Sequence, residues 1–128
     1  MTTPTILAMN IQPEKLGKLR FLCLRLGIRV NVIEQRAFGC TVGGLVAGDA
    51  APVRGRWAPF TDEMLVMAQF RPGMLDAFLA GFREMGIAPV PLKAMLTETN
   101  AEWTLERLYA ALREEHEQMA AFRKNRKP

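Results

Sequence analysis

Apolar residues follow two rhythms along this chain. In the strands expected over 5–11 (TILAMNI) and 64–70 (MLVMAQF) they occupy successive positions, 6–9 and 64–68, as expected for short strands buried on both faces. Elsewhere they recur at helical spacing. Leu16, Leu19, Cys23 and Leu26 make one stripe, widened by Phe21, Leu22 and Leu24, and predict a helix over 14–26. Pro13 suits its first position, and Gly27 suits its end. Met74, Leu75, Phe78, Leu79, Phe82 and Met85 predict a second helix, opened by Arg71-Pro72 and closed by Gly86. Leu105, Leu108, Leu112, Met119 and Phe122 mark the buried side of a third, over 104–122, with Thr104 as its cap. Strands are expected over 29–34 and 90–96 as well.

The residues between, 35–63, are rich in glycine and proline. The stretch 41–47 (TVGGLVA) fits a short helix weakened by its two glycines, and 48–59 reads as surface loop. No phosphate-loop or dinucleotide fingerprint occurs there.

A shift of 59 residues aligns Pro13 with Pro72, Leu16 with Leu75, Leu19 with Phe78, Gly27 with Gly86 and Ile28 with Ile87. Capping and core positions recur together, so the chain reads as one α/β domain of two βαβ-like units, 5–34 and 64–96, plus the C-terminal helix and a basic tail at 123–128. The expected fold is a small, mostly parallel four-stranded sheet of order 2-1-3-4 with helices on both faces. The alternative is an α+β ferredoxin-like sheet with a C-terminal helix. The long connector favours a crossover, hence a third strand parallel to the first. Right-handed connections then put the first and third helices on one face, and the Gly-rich element and second helix on the other. In such a sheet ligands bind where the strand order reverses, beyond the carboxyl ends. Asn10, Gln12, Gln69, Arg71 and the loop of Thr97, Thr99 and Asn100 are expected to ring that crevice.

Composition changes this picture little. The 128 residues carry 17 Lys and Arg against 13 Asp and Glu. Four of the cations (Arg123, Lys124, Arg126, Lys127) crowd the tail and leave a neutral body, which argues against nucleic-acid binding. Cys23 and Cys40 read as free thiols, and a basic-then-apolar leader and a membrane-length apolar run are both missing from the sequence, so a cytoplasmic location is expected.

Candidate chemistry is sparse. The polar run before Trp103 is the densest cluster of hydrogen-bonding side chains, and fits either a turn with a helix cap or a small site for a carboxylate or phosphate. Lys93 stands in an apolar strand, as a guard of a sheet edge or, if buried, as a low-pKa amine. Trp103 reads as an anchor for the helix start or a stacking platform. His116 has no second His or Cys at metal-ligand spacing, and Cys40 has no partnering base nearby in sequence; no metal or cofactor is expected.

The series Pro91-Leu92-Lys93-Ala94, Leu96-Thr97, Thr99-Asn100, Trp103-Thr104 and Glu114-Glu115-His116 resembles a small bacterial family, a domain of unknown function, over about residues 64–119. The resemblance brings no activity or catalytic residue, and implies only that the loop is its signature region. The expectation is a non-enzymatic module binding a small molecule or protein, with candidate ligand residues Asn10, Arg71, Lys93, Thr97, Thr99, Asn100 and Trp103. Its alternatives are a small enzyme using Lys93 with the 97–100 loop, and nucleic-acid binding through the tail with Arg54, Arg56 and Arg71. Homodimerisation through the near-heptad third helix is left open.

Overall fold

The computed structural model describes residues 3–48 and 60–125. The first unit is β1 (Thr5–Met9), α1 (Pro13–Leu26) and β2 (Arg29–Val32). A 3₁₀ turn (Gln35–Ala37) and α2 (Val42–Ala47) follow. The second unit is β3 (Met64–Ala68), α3 (Met74–Met85) and β4 (Leu92–Met95), and a 3₁₀ turn (Asn100–Glu102) leads into α4 (Leu105–Asn125). Pro13 does open α1, whereas α3 begins only after Gly73, so Arg71 and Pro72 precede it in a turn. The loop expected over 49–59, the arginines at 54 and 56, and the end of the tail lie outside the described residues.

The sheet has the expected order, β2-β1-β3-β4, and is mixed. β1 pairs with β2, and β3 with β4, in parallel. The central pair β1–β3 is antiparallel, with Thr5 opposite Ala68 and Met9 opposite Met64. This corrects the expectation of parallel first and third strands. The connector has to return only to the end of the sheet where β2 stops; its length goes into the 3₁₀ turn and α2, which cover a face. Continuous burial of Thr5–Met9 and Met64–Ala68 was read correctly, but burial on both faces is indifferent to strand direction.

Reversing β3 also moves a helix. With right-handed connections, two βαβ units whose inner strands run antiparallel place their helices on the same face. Accordingly α1 and α3 lie together over Ile6, Ala8, Leu65 and Met67, in one core with Leu19, Leu22, Phe78 and Phe82. The other core packs α2 and α4 on Leu7, Met9, Val66 and Leu92 through Val42, Leu45, Leu105 and Leu108. The expected helix pairing is thus corrected, while coverage of both faces holds.

The internal repeat is a physical two-fold. Asn10 and Gln69, 59 positions apart, both leave their strands with positive φ (59° and 63°). Gly27 and Gly86 both close their helices in the left-handed region (φ 72° and 66°), where a Cβ would be strained. The next amides then bond back alike, Ile28 N–H to Cys23 O and Ile87 N–H to Phe82 O, each at 2.8 Å. Residues on a two-fold axis must meet their own equivalents. Leu22 and Gly81 are such a pair, and a Cβ on Gly81 would lie 2.4 Å from Leu22 Cδ1. A second leucine there has no room, so the repeat departs from symmetry at this contact.

Candidate functional site

The expected crevice does not form. Because β3 is reversed, the carboxyl end of β1 lies beside the start of β3, and the loop after β4 lies at the opposite end of the sheet. Asn10 and Gln12 are therefore separated from Gln69, Arg71, Thr97, Thr99 and Asn100. Asn10 works locally: its Nδ2 donates to Phe60 O (2.9 Å) and Asp62 O (3.0 Å), pinning the entry to β3. The Gln12 amide and Lys15 reach Glu63 beside it. Arg71 is exposed, and its carbonyl accepts from the Met74 amide.

In the 97–104 loop Thr97, Asn100 and Thr104 bond within the chain, while Glu98, Thr99 and Glu102 are exposed. Asn100 is buried; its Oδ1 accepts from the Thr97 amide (2.8 Å) and its Nδ2 donates to Met95 O (3.0 Å). The Asn100 amide donates to Thr97 Oγ1 (3.0 Å), closing a reciprocal turn. Along a strand, successive carbonyls alternate in direction. Leu96 bonds to Met67 of β3, so the Met95 carbonyl faces the free edge of β4, and Asn100 covers it. Thr104 Oγ1 caps α4 through the Arg107 amide, as expected. Trp103 is half-buried, with the Arg107 guanidinium 4.4 Å above its ring, and its carbonyl accepts from the Val42 amide. A cation thus already covers that ring, and the anchoring role fits the contacts better than a stacking platform.

Of the candidate ligand residues, Lys93 borders a recess. Side chains alternate across a strand. Leu92 and Ala94 join the core beneath α4, and Lys93, at the free edge of the sheet, borders one recess against α3 and another against α4, the latter with Glu115 and His116. Its Nζ donates to Val90 O at 2.5 Å, and burial lowers its pKa below the ordinary lysine value. A simple solvent-facing guard would show neither feature.

Around Lys93 lies a groove of about 260 Å³, lined by Leu79, Phe82 and Arg83 of α3 and by Ile87, Pro89 and Val90 before β4. Its origin is a second departure from the repeat. In the first unit Ile28 runs directly into β2 at Arg29. In the second, Ala88, Pro89, Val90 and Pro91 are inserted between Ile87 and β4. Prolines hold this segment extended and keep it out of the ladder, so it stands off from α3 as a wall. Three side chains change character at the same place. By the 59-residue repeat and the strand register, Leu79, Arg83 and Lys93 replace Arg20, Leu24 and Val30. Sequence reasoning missed the groove, although the inserted APVP was its visible signal.

Among the described residues no cluster of three or more His, Cys, Asp or Glu could hold a metal ion. No helix among them is long and apolar enough to cross a membrane. Fold and recess together define a small α/β domain of two βαβ units with a grooved second unit. Residues 63–119 match the family model described as a domain of unknown function (DUF3783), in line with the resemblance over 64–119 to an uncharacterised domain family. The match takes in the second unit, the groove, the 97–104 loop and most of α4. No curated protein and no solved structure matches the chain.

Proposed function

We propose that the protein is a non-enzymatic binding module whose ligand seats in the groove between α3 and the segment leading to β4, and not in the polar loop before Trp103. The observation that carries this reading is local asymmetry within a repeat. Among the many differences between the two units, the inserted wall and the changes to Leu79, Arg83 and Lys93 come together at one recess. Packing alone supplies no reason for an apolar floor left open beside two cations. The Thr97–Asn100 pair, by contrast, is tied to itself and to the Met95 carbonyl.

An enzyme built on Lys93 retains one supporting feature, the amine's lowered pKa. The loop hydroxyls that such an enzyme was expected to use belong to the turn beyond the end of β4, near α2, while Lys93 borders recesses against α3 and α4. Among the described residues no general acid, base or nucleophile lines this groove with it; Glu115 and His116 border the recess on its α4 side.

The test is protein-observed NMR on the full chain against a panel of small acids, amines and neutral amphiphiles. Amide shifts should cluster at residues 79–93. Leu79→Arg restores the residue type of the first unit and fills the groove; it should abolish those shifts and leave the rest of the spectrum in place. Shifts confined to residues 97–104, or persisting unchanged in Leu79→Arg, would defeat the reading.

A further inference from the structure

The groove's lining points to a chemical class of ligand, an inference that rests on the binding reading above. Its floor and walls are apolar, from Leu79, Phe82, Ile87, Pro89 and Val90, and its two charged side chains are both cations, Arg83 and Lys93. Among the described residues no acidic one lines it. Among the described residues Arg83 forms no ion pair and Lys93 has a single hydrogen-bond partner, the Val90 carbonyl. An ammonium has three N–H donors, so two remain for a ligand, and the guanidinium offers a planar fork that matches a carboxylate. The neighbouring pair on α1 and β2 carries Leu24 and Val30 at the equivalent positions, so neither cation is a requirement of the fold.

We infer that the groove takes a small monocarboxylic acid with an apolar body, its carboxylate held between Arg83 and Lys93 and its tail laid on Leu79, Phe82 and Pro89. The volume of about 260 Å³ lies just below the roughly 300–1,000 Å³ of drug-sized pockets, which suits a medium-length chain or a single ring. Charge complementarity selects an anion. The apolar floor rejects a strongly hydrated one, since burying a polar group without a partner costs free energy. An acid entering here also relieves the partial desolvation of Lys93 by placing a counter-charge beside it.

Octanoate, 1-octanol, octylamine and octyl phosphate share one tail and differ in the head. Titrated into the full chain and followed by amide NMR, octanoate should shift residues 79–93 and bind at least about tenfold more tightly than octanol, the scale of one charge-assisted hydrogen bond. Arg83→Gln and Lys93→Met should each weaken octanoate about tenfold and leave octanol unchanged; Arg83 is exposed, so its variant tests the idea even if Lys93→Met folds poorly. Octanol binding as well as octanoate, or octylamine binding better, would overturn the acid and leave the groove standing. Tighter binding of octyl phosphate would overturn the carboxylate. No shift at 79–93 from any of the four would overturn this inference and the binding reading together.

Discussion

Replacing Gly81 by alanine should destabilise the protein, although alanine is the better helix former. In an exposed helix the change gains about 1 kcal/mol. Here the new Cβ would stand 2.4 Å and 2.8 Å from the two terminal carbons of Leu22. Leu22 is 2% exposed and shares its core with Leu19, Phe78 and Phe82, so its side chain has little free space to swing into. Overpacking of this kind costs about 1–3 kcal/mol, so the net effect should be a loss of about 1 kcal/mol. Leu22→Ala alone should cost about 2–5 kcal/mol through the cavity it leaves. With Leu22 already truncated the clash is gone, the helix gain remains and the new methyl fills part of the void, so Gly81→Ala should become stabilising. The coupling energy should therefore be about 2 kcal/mol, within the range for residues in contact. Urea denaturation of wild type, both single variants and the double variant at a common m value measures it directly. If Gly81→Ala stabilises equally in both backgrounds, the two helices do not meet at this pair, and the two-fold contact is wrong.

Two further outcomes are expected. Asn100→Ala deletes the bonds to the Thr97 amide and Met95 carbonyl at a buried position, and should cost about 1–3 kcal/mol by denaturation while leaving octanoate shifts at 79–93 intact; loss of those shifts in a folded variant would return the loop to candidacy. Cys23 is buried on α1, and desolvation pushes its thiol up to about 12, so the unfolded chain releases this proton at lower pH than the folded one. The stabilisation from this group is complete below the unfolded thiol's pKa, near 9, and is lost as pH rises towards about 12. Cys23→Ala should flatten that alkaline decline in melting temperature, and an unchanged slope would count against burial of the thiol.

Much of this architecture was legible in the residues alone. Helix and strand rhythm, the glycine caps at Gly27 and Gly86, the short helix through Gly43 and Gly44 and the 59-residue repeat follow from local sterics and periodic burial, which each segment carries in its own side chains; the stripe expected to be buried on α4 stops short, since Met119 and Phe122 are exposed. Thr104 as the cap of α4 belongs with them. The direction of β3 does not, because an uninterrupted apolar strand buries equally well either way up. From that one undetermined choice followed the companion of α1, the end of the sheet where Thr97 and Asn100 lie, and the collapse of the expected crevice. The groove is non-local in the same sense. Leu79, Arg83, Pro89 and Lys93 become its walls only once α3 has docked on the sheet and the inserted segment has bridged to β4, so side chains that looked unrelated along the chain acquire a common face through packing.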